Sequence, residues 1–170
     1  MQHRIASERF DQKFFVDILL GLIPGLPAAA ASLLSRTSSF EKYEAGDLII
    51  REGEPANGIF LLIFGTVQPS ISDGLSSSSR QIKLGRISAP ALLGIAGSVL
   101  AQPSAYTVTA VASTECALIP QYQIGNVLKD SPEAGLALSH LLANELDSTY
   151  SQLGQLRCPD QPADAIGQVH

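Results

Sequence analysis

The sequence predicts a mainly β protein, a jelly-roll-like β-roll (double-stranded β-helix) with helices at its N-terminal end and a long helix at its C-terminal end. Between residues 40 and 120, short apolar or alternating runs are separated by turns that contain glycine. Residues 1–38 and 131–157 carry helix-boundary signals instead. With 45% hydrophobic and 16% charged residues, the 170-residue chain is typical of one globular domain.

The N-terminal part, residues 1–38, is predicted to be helical. Breaks are expected at Gly21 and at Pro24-Gly25, since glycine and proline interrupt helices. A short alanine-rich helix is expected to begin after Pro27 and to end at Leu34.

The apolar stretch from residue 14 to residue 34 is not expected to span a membrane. Asp17, Pro24 and Pro27 interrupt it, whereas a spanning helix needs about 18 or more apolar residues in sequence. It also lacks the basic start and the cleavage site of a signal peptide. We therefore expect a cytoplasmic protein with no membrane partner.

The central part, residues 40–120, is predicted to form the β-roll. The expected strands are residues 48–50, 58–64, 66–67, 81–85, 106–111 and 115–119. Residues 58–64 are continuously apolar, which favours a strand buried on both faces. The serine-rich segment 68–81 contains Asp73-Gly74, a strong turn signal, so it predicts a hairpin.

The C-terminal helix is predicted to begin at Ser131-Pro132, because a capping residue precedes a proline at the first helical position. It should run to residue 157, which ends the domain (1–157), with residues 158–170 as a disordered tail. A narrow seam repeats along it at spacings of three and four: Leu142, Leu146, Thr149, Leu153 and Leu156. The four leucines predict a homodimer through this helix. Alternatively, the stripe covers the domain's own roll.

Charge and cysteine usage exclude several other classes of function. Eleven basic against sixteen acidic residues give a net charge of −5, and no basic run exists, so no nucleic-acid partner is expected for the chain by itself. Cys116 lies in an apolar run and is interpreted as a small core residue. Neither it nor Cys158 belongs to a CxxC pair, so no metal site is expected.

The order of turns and strands resembles the cyclic-nucleotide-binding domain of catabolite-activator-type regulators, kinase regulatory subunits and gated channels. Three segments carry the resemblance: GDLIIREGEP at residues 46–55, the apolar strand at 59–63 and GTV at 65–67. The family places glycines at these turns because the roll reverses tightly. The resemblance extends from about residue 10 to residue 157.

A second signature is the family's phosphate-binding cassette, FGExALLxxxPRxATV. It aligns without a gap with LGIAGSVLAQPSAYTV at residues 93–108, where Gly94, Pro103, Thr107 and Val108 match. The resemblance also implies that Thr149 stands where the long helix touches the purine, although a threonine merely tolerated in the seam is equally compatible. The implied ligand pocket comprises Gly94, Ile95, Ala96, Gly97, Ser104, Ala105 and Thr149.

The two charged contacts of the cassette are replaced. In the family, the glutamate accepts a hydrogen bond from the ribose and the arginine pairs with the cyclic phosphate; Ile95 and Ser104 occupy those positions. Losing one partner of a buried charge pair costs about 2–5 kcal/mol, where about 1.4 kcal/mol is tenfold in affinity. The sequence therefore predicts a non-enzymatic regulatory module with weak or no ordinary cyclic AMP binding, whose effector is a cyclic nucleotide or another small molecule.

Two alternatives remain. Backbone amides of residues 94–97 and the nearby Arg80 and Arg86 offer substitutes for the lost contacts, which would leave a working cyclic-nucleotide sensor. A cupin-type β-roll enzyme needs histidines on its strands, but the histidines are residues 3, 140 and 170. Because no helix-turn-helix follows residue 157, we expect a stand-alone sensor or dimerisation subunit that acts on a separate output protein. Alternatively, the chain is a degenerate roll kept for protein contacts alone.

Overall fold

The computed structural model describes residues 11–72 and 81–156, and it shows the predicted architecture of a β-roll flanked by helices. The helices are α1 (Gln12–Leu22), α2 (Ala28–Thr37), α3 (Ile95–Leu100), α4 (Gln121–Asp130) and α5 (Pro132–Leu156). The strands are β1 (Ser39–Tyr43), β2 (Leu48–Ile50), β3 (Gly58–Phe64), β4 (Thr66–Ser72), β5 (Gln81–Lys83), β6 (Ile87–Ser88), β7 (Ala91–Leu93), β8 (Thr107–Ala110) and β9 (Thr114–Pro120).

The two N-terminal helices differ from the prediction at their ends. α1 continues through Gly21, so the predicted break there is wrong; one glycine costs a helix only about 1 kcal/mol, and the complete burial of Leu19 offsets it. The chain turns instead at Gly25, where φ is 87°. α2 begins after Pro27 as predicted but extends to Thr37, whose hydroxyl donates to carbonyls of the last turn.

The strands form two antiparallel sheets. Sheet A has the order β1-β9-β3-β7, and sheet B has the order β2-β8-β4-β5, with β6 also paired to β4. The predicted hairpin is confirmed, since Ser72 pairs with Gln81 across β4 and β5. Its return strand ends at Lys83 rather than at residue 85. The predicted tip at Asp73-Gly74 lies outside the described residues.

β3 occupies the centre of sheet A, between β9 and β7. Its first five residues are buried, as the continuous apolar run predicted, and only its last residue, Phe64, is exposed. Gly58 is required at its start by close packing on β9. A Cβ atom there would lie 2.0 Å from the carbonyl oxygen of Ile119, closer than any real contact.

Two hydrophobic clusters lie on opposite faces of sheet A. The helix-side core joins one face to α1, α2, α4 and α5; its members include Phe15, Leu19, Leu61, Ile95, Ile119, Ile124 and Ala137. The inter-sheet core lies between the sheets and comprises Ile49, Ile50, Phe60, Leu62, Val67, Leu93, Val108, Ala110 and Cys116. Cys116 is fully buried, as expected of a core residue, and burial raises the pKa of its thiol to about 12.

The C-terminal helices confirm one prediction and add an unpredicted element. α5 begins at Pro132, and the Ser131 hydroxyl accepts a hydrogen bond from the amide of Ala134 at 3.2 Å. α4 was not predicted; Ile124 and Val127 attach it to the helix-side core. No helix in the described part of the chain is both long and apolar enough to cross a membrane.

Candidate functional site

The site to which the sequence points is the cassette, residues 93–108. It leaves β7 at Leu93, turns at Gly94 in the left-handed conformation (φ 76°), forms the short helix α3 and returns through Ala101 (φ 52°) towards β8. Glycine adopts the first of these conformations without strain. The chain thus forms a loop whose two ends lie on opposite sheets, since β7 belongs to sheet A and β8 to sheet B.

Hydrogen bonds and close packing hold the cassette backbone in place. The Ser98 hydroxyl donates to the Gly94 carbonyl at 2.8 Å, and the side-chain amide of Gln121 donates to the Ser98 carbonyl at 3.1 Å. At Gly97 an added Cβ would lie 3.2 Å from the Cβ of Ala56 and 3.3 Å from the carbonyl oxygen of Gln102, so the packing here is tight. The cassette is therefore a defined structure that is packed on the β2–β3 loop and on α4.

Ile95, which the resemblance aligns with the family's glutamate, has its side chain in the helix-side core. It is only 3% exposed and belongs to the helix-side core, where it packs with side chains of the flanking helices and sheet A. Sequence reasoning grouped Ile95 with the ligand pocket. In the structure it anchors α3 to the core and offers no hydrogen-bonding atom.

Ser104, which the resemblance aligns with the family's arginine, is half-buried. Its amide donates to the carbonyl of Glu54 at 2.9 Å, and its carbonyl accepts from the amide of Gly53 at 2.8 Å. These two bonds fix the position of residue 104 against the β2–β3 loop. Any side chain at residue 104 therefore extends from a backbone that these two hydrogen bonds hold in place.

Three charged side chains of the β2–β3 loop, which packs on the cassette, have hydrogen-bonding or ionic partners. The Arg51 guanidinium lies 3.2 Å from the Glu54 carboxylate, and both are exposed. The Glu52 carboxylate accepts hydrogen bonds from the amide and the hydroxyl of Ser72, at 2.8 and 2.9 Å. Residues 93–108 themselves contain no lysine or arginine. Of the two proposed substitutes, Arg86 is exposed before β6 and Arg80 lies outside the described residues.

Tyr106 was missed by sequence reasoning. It is half-buried against the inter-sheet core, and its phenolic oxygen accepts a hydrogen bond from the amide of Gly94 at 3.0 Å. The bond joins the two ends of the cassette loop. A signal was present in the sequence, because the family's pattern has alanine where this chain has a tyrosine.

The remaining predicted site residues are distributed along the cassette and α5. Gly94 and Gly97 are half-buried, whereas Ala96 and Ala105 are exposed. The side chain of Thr149 lies outside the described residues, so its contact with a purine stays a prediction.

Metal-dependent chemistry finds no site in the described residues. Among them, no group of three or more His, Cys, Asp or Glu side chains is arranged to hold a metal ion. The roll itself, residues 39–120, contains no histidine. The cupin-type alternative therefore has no ligand set on the strands where it requires one.

The two-sheet roll, the short helix after β7 and the C-terminal helix define a β-roll of two antiparallel sheets flanked by helices. The family model described as "Cyclic nucleotide-binding domain" matches residues 40–131, which is more than half of the chain. The chain belongs to the cyclic nucleotide-binding domain family. The resemblance noted in the sequence is thereby confirmed.

Similar proteins include patatin-like phospholipase domain-containing protein 6 of human and of mouse, each 25% identical over 94% and 85% of this chain, respectively. The chain spans 12% and 11% of their lengths, so it corresponds to a small part of these relatives.

Solved structures share the fold. A cyclic nucleotide-binding domain from Methylobacillus flagellatus superposes with a TM-score of 0.72 at 14% identity, over 88% of each chain. The sensor domain of the transcriptional regulator DNR from Pseudomonas aeruginosa gives 0.68 at 21% identity, over 82% of this chain and 93% of that one. The regulatory domain of Toxoplasma gondii PKA, solved with cAMP, gives 0.67 at 15% identity, over 81% of this chain and 50% of that one.

Proposed function

We propose that this chain is a non-enzymatic regulatory module whose cassette binds cyclic AMP and cyclic GMP weakly or not at all. One observation carries the proposal: the residue at the family's glutamate position, Ile95, is buried in the helix-side core. In addition, the residue at the arginine position is a serine, and the cassette contains no cation. A cyclic phosphate brought here would lose water without gaining a charged partner.

The size of the expected loss supports weak binding. An arginine forms charge-assisted, often bidentate hydrogen bonds with a phosphate, whereas a serine offers one neutral bond. Removing a partner from such a buried pair costs about 2–5 kcal/mol, which corresponds to roughly two to three decades of affinity. The lost ribose contact adds about 0.5–1.5 kcal/mol. A ligand that an ordinary family member binds with a micromolar dissociation constant would then bind here roughly 10²–10⁴-fold more weakly, at about 0.1 mM or above.

A second candidate function, a working cyclic-nucleotide sensor, is favoured by the cassette backbone. The left-handed Gly94, the tightly packed Gly97 and the hydrogen-bonded backbone of Ser104 give the cassette a defined loop, which supports this candidate. A relic without any ligand would have no need of this geometry. The same features also suit an effector that is less anionic than a cyclic nucleotide.

The signal output is proposed to pass through α5. Leu142 packs against the helix-side core, so the first part of the predicted seam covers the domain itself. Leu146, one turn further, is 55% exposed. We propose that the seam from Leu146 onward pairs with a second copy of the chain, and that the resulting unit acts on a separate output protein.

A thermal-shift titration with cyclic AMP and cyclic GMP tests the proposed function. A ligand at about one hundred times its dissociation constant stabilises a protein by about 2.7 kcal/mol, which raises the melting temperature by several degrees. We expect no shift up to millimolar ligand, with 5′-AMP as the non-cyclic control. A submicromolar dissociation constant by calorimetry would establish the sensor function in its place.

A further inference from the structure

We propose that Tyr106 is a built-in occupant of the cassette, so that the chain's own phenol fills the space that a ligand of this loop would enter. The inference deepens the proposed function and rests on it, because it explains why the cassette does not bind cyclic nucleotides. It assigns to Tyr106 a role in specificity beyond the loss of the two charged contacts.

The side chain of Tyr106 crosses the cassette loop. Gly94 directly precedes the family's glutamate position, and Ser104, the family's arginine position, lies two residues before Tyr106. The phenolic oxygen lies 3.0 Å from the Gly94 nitrogen, so the tyrosine side chain spans the loop from its end to its beginning. A ligand that contacts both the start of α3 and residue 104 must occupy the space crossed by this side chain.

The phenol of Tyr106 takes up both space and a backbone hydrogen-bond donor in the loop. The family's pattern places alanine at this position, and replacing a methyl group by a phenol adds a rigid six-membered ring. The Tyr106 ring packs against the inter-sheet core, and this packing restricts rotation of the side chain out of the loop. The hydroxyl also occupies the Gly94 amide, a backbone donor at the point where the cassette helix begins.

Ile95, Ser104 and Tyr106 all differ from the residues of the family's pattern. A cassette plugged by its own side chain has no use for a buried glutamate or a phosphate-binding arginine. Those positions carry Ile95, which joins the helix-side core, and Ser104, which has no charge. The replacement of an external ligand by an internal one accounts for these three departures from the family's pattern together.

A double-mutant cycle between Ser104→Arg and Tyr106→Ala tests the proposal. Dissociation constants for cyclic AMP are measured by calorimetry on the full chain. We expect Ser104→Arg alone to change affinity by less than about threefold, because the ring blocks the new guanidinium from a phosphate. The affinity gain of the double variant should exceed the product of the two single-variant gains by at least about tenfold, since both the space and the charged contact are then present.

Two control variants isolate the cause. Gln102→Arg in the Tyr106→Ala background adds the same charge at an exposed neighbour and should not reproduce the gain. Tyr122→Ala removes an exposed tyrosine ring from outside residues 93–108 and should leave the effect of Ser104→Arg unchanged. If Ser104→Arg alone restores full binding, the Tyr106 proposal is wrong while the proposed function stands. If the unaltered chain binds cyclic AMP tightly, the proposed function itself is wrong.

Amide hydrogen exchange provides a test that does not depend on Tyr106→Ala folding. Tyr106→Phe keeps the ring and removes only the acceptor of the Gly94 amide. We expect exchange at Gly94 to become at least about tenfold faster, because its hydrogen bond is lost. The amide of Gln102, bonded to the Gly97 carbonyl, should be unchanged. Equal exchange at Gly94 in the two proteins would refute the hydrogen bond on which the proposal rests.

Discussion

Single residues decide where this roll departs from the family's pattern. Ile95, Ser104 and Tyr106 are ordinary residues in sequence, but each occupies a position that the family's pattern assigns to ligand contact or to a small side chain. Their surroundings in the structure distinguish them. Ile95 is buried in the core, the backbone of Ser104 is hydrogen-bonded to the β2–β3 loop, and Tyr106 accepts a hydrogen bond from Gly94. The sequence identified the first two as departures, since a missing charge is visible in an alignment.

Gly58 offers a residue-scale prediction with a matched control. Gly58→Ala should destabilise the protein by about 3 kcal/mol or more, because its Cβ would overlap the β9 backbone and sheet A would have to separate. Gly125→Ala, in α4, meets no atom within 4 Å and should stabilise by about 0.5–1 kcal/mol. Urea unfolding of both variants measures the difference. A Gly58→Ala protein as stable as the original would contradict the packing of β3 on β9.

At the scale of elements, the periodic patterns were reliable where one local interaction dominates. The strand 58–64 and the start of α5 at Pro132 were predicted correctly because continuous hydrophobicity and the Ser131 cap act within a few residues. α4 was missed: it contains Gly125 and Asn126, both poor helix formers. Packing of Ile124 and Val127 against helices that are distant in sequence stabilises α4. Such packing leaves only a weak pattern in the local sequence.

The proposed pairing of α5 gives an element-scale prediction. Leu146 lies in the predicted seam and Leu136 lies outside it, yet their exposed fractions are similar, 55% and 59%. If α5 pairs with a second copy, Leu146→Glu should shift the chain from dimer to monomer, because a charge would be buried in the interface. Leu136→Glu should remain dimeric. Sedimentation across a dilution series measures the masses, and a monomeric unaltered chain would exclude the pairing.

At the scale of the whole molecule, sheet A couples the two cores. Leu61 belongs to the helix-side core and Leu62 to the inter-sheet core, although they are neighbours in β3. Because successive side chains of a strand point to opposite faces, loss of packing on either side disturbs the same backbone. We therefore expect the roll and the flanking helices to unfold together.

Leu61→Ala tests this coupling. The substitution should cost about 2–5 kcal/mol, as is usual for a fully buried leucine. Far-UV circular dichroism reports mainly the helices, whereas near-UV signals include Tyr43 and Tyr106, which pack against the inter-sheet core. Both transitions should move together to lower urea concentration. Two separated transitions would show that the helices and the roll are independent units.

Local patterns in the sequence were sufficient to predict the β-roll with flanking helices and the buried strand at residues 58–64, because alternation, capping and glycine turns act over short distances. The packing of the whole chain, by contrast, sets the burial of Ile95 in the helix-side core and the hydrogen bond from the Gly94 amide to Tyr106, twelve residues away. The direction of a side chain on the six-residue helix α3, and a bond across the cassette loop, depend on how two sheets and distant helices pack around them. No local pattern in the chain encodes that packing.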